Sequence, residues 1–445
     1  MDPYLGYEIA IVVVAAYFVL IILLGRAGYI APNRVVSFFG PALMIKTQSG
    51  RAAIDRWARF RRFWTVVSDL GIALAAIAMA GIIAILFFGA IVSTRLPASE
   101  APTPQEALGL PGINPFIPLG YGIVALIVGI VLHELAHGVV ARSQGIGVKS
   151  LGILLFVVPV GAFVEQDEAD MTAASRRRRD RVGAAGILAN FAIAVVFFVL
   201  LAAVISTSVA ANASGVGIEY VQPGSPAANV SLVPGDIITS INGTATTSVA
   251  LFESSLANTT PGETVAVDYY SSSHHALTAV SVVLAPSSTV KDRGFLGVEP
   301  YFLTPNELQQ TLASPLSSSN GPVVGAIDWL VLPIAGLEPL SGSAMNCFHL
   351  TGAFAGVDPN TFWIGANILY WIAWMSLLLG LSNALPLVPL DGGLLFRDFS
   401  ASIAARFKKG WTADRLEEFG GQAVIVSSVL VLVLLAWQFI VPRLL

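Results

Sequence analysis

Six apolar runs, at about 9–25, 70–92, 119–141, 183–208, 361–382 and 421–441, dominate the sequence. Each approaches the roughly 20 residues that an α-helix needs to cross a bilayer. In lipid every backbone polar group must be satisfied within the structure, so a chain with this pattern folds as a polytopic α-helical membrane protein of about six spans. Only 12% of its residues are charged, against about 25% in an average soluble domain. The Lys and Arg residues gather in three loops, as RWARFRR after the first run, SRRRRDR after the third and RFKKGW after the fifth. By the positive-inside rule these loops are cytoplasmic, which puts both termini of this multi-pass cell-membrane protein outside. The first run lacks a basic flank and a small-residue cleavage site, so it reads as a retained anchor. A net charge of −4, with no basic stripe interleaved with aromatics, excludes a nucleic-acid partner. The single cysteine, Cys347, excludes a disulfide framework and a thiolate metal cluster.

Three stretches fit no span. LGILLFVVPVGAFV, residues 151–164, is too short to cross and carries Gly152, Pro159 and Gly161. It reads as a membrane re-entrant β-hairpin or loop, which is allowed where protein or a water-filled cavity satisfies its backbone; the other reading is a hydrophobic loop lying on the surface. Residues 322–358, broken by Asp328, Glu338 and His349, read as an interfacial segment. FFGPALMIKTQSGRAAIDRWARF, residues 38–60, has a helical pattern and reads as a cytoplasmic amphipathic segment.

Inside the third run stands VLHELAHG. A charge at bilayer depth costs about 2.5–3.5 kcal/mol, so His133, Glu134 and His137 need a reason to be there. On a helix, positions i and i+4 share a face, and two imidazoles then meet at a common point with Glu134 beside them. H-E-x-x-H suits a catalytic zinc ion, which takes three protein ligands and leaves a fourth position for water; the glutamate serves as general base. A purely structural role would be filled by Leu or Ala without the desolvation cost. Two histidines leave the metal one ligand short. The fifth run ends in LSNALPLVPLDGGLLF, residues 381–396, and brings Asn383 and Asp391 into the cytoplasmic half of the bilayer. His133 lies about 21 Å along its own inward-running span, in that same half. Pro386, Pro389 and Gly392–Gly393 break the helix and let Asp391 turn back toward the bundle. The alternative is that Asp391 merely caps a cytoplasmic helix.

Between the fourth and fifth runs the composition changes. From 211 to 321 there are eight acidic and two basic residues among many Ser, Thr, Val and Gly. Turn signals (Pro-Gly, Asn-Gly) alternate with short strand patterns such as DIITSI and TVAVDYY, which makes this a small β-rich domain. Residues from about 215 to 300 resemble a PDZ domain, through Gly224 to Ala227 (GSPA) and Gly235 to Gly243 (GDIITSING). That resemblance implies capture of a peptide tail by strand addition; the alternative is a spacer that excludes bulky ectodomains.

The two membrane motifs together resemble the site-2 protease family of intramembrane metalloproteases (M50 type). H-E-x-x-H is paired there with N-x-x-P-x-x-x-L-D-G, matched by Asn383, Pro386, Leu390, Asp391 and Gly392, and with G-x-x-x-N, matched by Gly186 and Asn190. The resemblance spans most of residues 119–396. It implies one catalytic zinc ion on His133, His137 and Asp391, Glu134 as base, and Asn383 near the scissile carbonyl. Asn190 and Gly161 are further candidate substrate-binding residues, Gly161 on an edge strand that holds the unwound substrate. Leu394 stands where many bacterial members have His, which points toward the archaeal and eukaryotic-type branch.

The implied function is hydrolysis of peptide bonds within or next to transmembrane helices, as in regulated intramembrane proteolysis. The implied substrate is a single-span membrane protein, with or without a prior cut by another protease. An inactive zinc-binding scaffold that uses only its PDZ-like domain is the competing reading. An ion transporter is disfavoured because the spans show no inverted repeat. The expected organisation is a two-span region at 1–93, an external loop at 94–118 and the first part of the catalytic core at 119–210. The external PDZ-like domain and linker follow at 211–321 and the interfacial segment at 322–358. The second part of the core at 359–400 precedes a cytoplasmic loop and last helix at 401–445.

Overall fold

The computed structural model describes residues 5–30, 35–39, 42–156, 158–287, 292–317, 321–334 and 342–444. The chain forms two compact units, one of residues 1–109, 122–194 and 375–445, the other of 110–121 and 195–374. Its helices begin with α1 (Leu5–Arg26), over the first apolar run, and the short α2 (Arg51–Ala58). Five helices among the described residues are long and apolar enough to cross a membrane. They are α3 (Arg61–Ser93), α4 (Leu119–Ser143), α5 (Arg176–Ser208), α6 (Pro359–Asn383) and, after α7 (Asp391–Phe407), α8 (Ala413–Ile440).

In the first unit the helices outrun their apolar runs at the basic ends. Helix α3 starts at Arg61 and α5 at Arg176. Ion pairs hold these extensions. Arg177 and Arg181 reach Asp69 of α3 with N–O distances of 3.1 and 2.8 Å, and Arg179 reaches Asp398 of α7 at 2.8 Å and Glu417 of α8 at 3.0 Å. Asp398 is fully buried, and its charge is compensated by the Arg179 guanidinium, which grips both carboxylate oxygens, and by Arg397, 3.0 Å from Oδ1. Deeper in the bundle small side chains let backbones approach. Ala75, Ala78, Ala184, Ile187, Ala384 and Leu395 form one buried cluster of α3, α5, α7 and the segment before it.

Four antiparallel strands form a sheet in the order β1 (Val36–Phe39), β2 (Ala42–Thr47), β3 (Val148–Phe156), β4 (Val158–Gln166). Strands β3 and β4 pair antiparallel over the stretch for which a hairpin or loop is expected. Strands β1 and β2 correct the expected helical pattern of 38–60, of whose described residues only 51–58 are helix. Strand β2 pairs on one side with its neighbour β1, Val36 opposite Ile45, and on the other with the distant β3, Leu43 opposite Leu155 and Ile45 opposite Ile153. Gly152 is required, because an added Cβ would strike the carbonyl oxygen of Ile45 and the ring of Phe163. Lys46 pairs with Glu165 at 3.2 Å, and Ser150 also donates to that carboxylate.

The second unit holds the β-rich insert, with strands ordered 276–283, 264–271, 237–241, 216–221 and 298–300. Strand 264–271 alternates exposed and buried residues, as a half-buried strand must. The predicted Asn-Gly turn forms at Asn242 (φ 50°) and Gly243 (φ 75°), both left-handed, as a type I′ hairpin requires. Ile218, Ile238, Ile241, Phe252, Val265 and Val267 fill the core. Helix Pro322–Val331 is pinned by Tyr370, whose hydroxyl donates to the Trp329 carbonyl at 3.1 Å, and by Trp374, which donates to the Leu330 carbonyl at 3.0 Å.

Candidate metal centre

Ala125, Gly129, His133 and His137 recur every four residues along α4, and all four are buried. The stripe therefore faces protein, and Gly129 shows how closely: an added Cβ there would come within 2.7 Å of Leu379 of α6. At its inner end the Nε2 atoms of His133 and His137 lie 3.1 Å apart. Both also face Asp391 Oδ2, at 3.2 and 3.1 Å. A tetrahedral zinc centre with bonds of about 2.0 Å has ligand–ligand edges of about 3.3 Å. Two imidazole nitrogens and a carboxylate oxygen at that spacing fit such an ion in kind and in geometry.

Helix α5 shapes this cluster from the other side. Gly186 lies against both rings, and an added Cβ would collide with Nε2 and Cε1 of His133 and with Nε2 of His137. The Val182 carbonyl, one turn earlier, lies 2.7 Å from His137 Nδ1. A carbonyl only accepts, so that nitrogen carries the ring proton and Nε2 keeps its lone pair for the metal position. Asn190, one turn later, has its amide nitrogen 3.0 Å from His133 Nδ1.

Asp391 arrives by a sharp return. Helix α6 ends at Asn383, residues 384–390 are not helical, and Asp391 is the first residue of α7. Pro386 and Pro389 interrupt the helix as expected. Gly392 and Gly393 do not: they lie in the first turn of α7, where a Cβ would strike the carbonyl oxygens of Ala384 and Leu385, or of Leu387 at 2.7 Å. Glycine at both positions lets the connecting segment fold back over the helix start, and that fold aims Asp391 at the histidines. Asp391 does not cap the helix: Leu390 holds the cap position, no side chain caps that end, and the Asp391 carboxylate faces the two histidines instead.

Glu134 Oε2 accepts the backbone N–H of Val164 at 3.0 Å. Strand β4 is an edge strand, and alternation along it sends the N–H and C=O of Ala162 off the same open edge as those of Val164. Gly161 instead stands opposite Leu154, and a Cβ there would sit at an ordinary 3.5 Å from that side chain. Asn383 is half-buried at the end of α6, eight residues before Asp391, and its side chain makes no hydrogen bond among the described residues. The structure thus brings His133, His137 and Asp391 together and ties Glu134, beside them on α4, to the edge strand. Reasoning from the sequence missed the Val182 carbonyl and the Val164 N–H.

The sequence profile of peptidase family M50 matches residues 121–427. An uncharacterized protein of Methanocaldococcus jannaschii is 25% identical over 369 residues, covering 82% of this chain and 79% of its own. A protein of Clostridium perfringens, provisionally named a zinc metalloprotease, is 26% identical and covers 62% of this chain and 81% of its own. One from Nostoc sp., with the same provisional name, is 29% identical and covers 61% and 83%. The solved PDZ domain of an SdrC-like protein from Listeria monocytogenes is 26% identical and covers 22% of this chain and 94% of its own, with a TM-score of 0.19. At that score the likeness is one of sequence.

Proposed function

The chain belongs to peptidase family M50, and from that premise we propose that it is an intramembrane zinc metalloprotease of the site-2 type. It hydrolyses peptide bonds within or next to the transmembrane helix of a single-span protein. The observation that carries this reading is the convergence of His133 and His137, on an apolar helix long enough to cross a membrane, with Asp391, and a carboxylate beside them. One zinc ion held by those donors supplies a Lewis acid that polarises the peptide carbonyl and lowers the pKa of water to roughly 7.

The chain's own groups do the rest. Glu134 takes the proton of the attacking water and returns it to the amine nitrogen as the C–N bond breaks, leaving one new carboxyl end and one new amine end. The Val164 N–H holds one oxygen of that carboxylate, so the base is tied to the strand that receives the substrate. A transmembrane helix hides its carbonyls in hydrogen bonds, and an unwound stretch needs another partner; the open edge of β4 at Ala162 supplies one by strand addition. Asn383 is assigned to the substrate carbonyl side of the site.

The same reading takes α1 as a sixth span, β3 and β4 as a hairpin re-entering the membrane, and the site as lying in the cytoplasmic half. Both termini and the PDZ-like insert are then outside, where the insert receives a peptide tail. Regulated intramembrane proteolysis is the biological role that fits these parts.

Ala162→Pro removes one outward N–H of β4 without touching the metal cluster. Cleavage is expected to fall about tenfold, the loss of roughly one hydrogen bond of 1.4 kcal/mol, with zinc content unchanged. Unaltered cleavage would remove the strand-addition step. The activity itself is tested by whether the purified protein with zinc cuts a single-span reporter inside its apolar segment; zinc bound without any such cut overturns the reading.

A further inference from the structure

We propose that Asn190 is a positioning residue for His133: its amide oxygen accepts the Nδ1–H of that ring and so turns the Nε2 lone pair toward the metal position. The proposal deepens the metalloprotease reading and rests on it.

Asn190 lies on α5 one turn beyond Gly186 and has no exposed surface. Its Nδ2 is 3.0 Å from His133 Nδ1, while its Oδ1 is buried without a hydrogen-bond partner. The two ends of an amide have nearly the same shape, and which end faces a neighbour is decided by the hydrogen-bond network. With Nδ2 toward the ring, Nδ1 must accept. The ring proton then sits on Nε2, the atom that faces His137 Nε2 at 3.1 Å and Asp391 Oδ2 at 3.2 Å. That arrangement also leaves the amide oxygen unsatisfied inside the protein.

Turning the amide over satisfies the oxygen and frees Nε2, with Nδ2 taking the place that Oδ1 held. Oδ1 gains a donor, the ring proton moves to Nδ1, and Nε2 is left with its lone pair. His133 then matches His137, whose Nδ1 can only donate to the Val182 carbonyl at 2.7 Å. Both ligating rings would be oriented in one way, each giving Nδ1–H to an oxygen on α5 and its Nε2 to the centre. Outer hydrogen bonds of this kind fix the tautomer and the direction of a ligating imidazole. An Asn chosen only to fill space between helices would be replaced by Leu without consequence, and the two ideas therefore part company experimentally.

The test is the equilibrium zinc affinity of the purified full-length protein, by competition with a chelator, for the native chain, Asn190→Asp and Asn190→Leu. Thermal unfolding of each zinc-free protein serves as the control for packing. Asp keeps the acceptor and is expected to hold zinc at least as tightly as Asn. Leu is expected to weaken it about 10–100-fold, with zinc-free unfolding like that of the Asp variant. In the native protein labelled with 15N-histidine and loaded with zinc, His133 Nδ1 should be protonated. Equal zinc affinity of the native and Leu proteins, an Asp variant as weak as the Leu variant, or an unprotonated Nδ1 overturns the proposal while leaving the metal site in place. No zinc binding by the native protein removes the metalloprotease reading itself.

Discussion

Replacing Glu134 with Gln is expected to lower turnover of a single-span substrate by about 10²–10⁴-fold while zinc content stays at the native level. General base catalysis contributes a factor of that size. The amide is nearly isosteric with the carboxylate and keeps an oxygen that can accept the Val164 N–H, now 3.0 Å from Oε2. The link between α4 and β4 therefore survives, and what is lost is the ability to take a proton. Turnover against zinc content, measured on the same preparations, separates this account from two others. If the Gln variant loses zinc as well, Glu134 is part of the metal cluster and another group is the base. If it cleaves at the native rate, proton transfer does not pass through residue 134.

The second large effect is expected from a single methyl group. Gly186→Ala places a Cβ against Nε2 and Cε1 of His133 and Nε2 of His137, inside any tolerable contact distance. The rings have little freedom to retreat, because their Nδ1 atoms are tied at 2.7 Å to Val182 and at 3.0 Å to Asn190, all on the same helix. Either α5 moves away from α4 or the imidazoles turn out of register. Both outcomes weaken the metal site, and an affinity loss of about 100-fold or more is expected, with cleavage falling in step. Chelator competition reads the affinity directly. Native zinc affinity in the Ala variant would mean that the helices are further apart than described.

The membrane character was legible because it rests on local composition. A run of about 20 apolar residues has one physical solution in lipid. The metal-ligand candidates were legible for a similar reason: i and i+4 on a helix is a local relation, and Asp391 stands out after the uncharged stretch from Pro359 to Leu390. The Asn242–Gly243 turn was legible through the conformations that those two residue types favour. What escaped was non-local. Strand β2 read as part of a helical segment because one of its two partners, β3, lies more than a hundred residues further on; the other is the neighbouring β1, with Val36 opposite Ile45 and Phe38 opposite Leu43. The arginines of α5 were read as a marker of the cytoplasmic side. Their second task, binding Asp69, Asp398 and Glu417 on three other helices, needed the fold. The Val182 carbonyl and the Val164 N–H carry no signal at all in a sequence, since every residue but proline offers the same two groups.

The central claim is a metal-dependent cut inside a membrane segment, and one measurement meets it directly. The purified protein would be reconstituted into liposomes with a single-span reporter, stripped of metal, restored with zinc, and the product masses read by mass spectrometry. The account predicts no products after stripping, and after zinc two fragments whose new ends lie within the apolar segment or at its edge. Fragments that form without zinc, or ends that lie only in the soluble parts of the reporter, would contradict it.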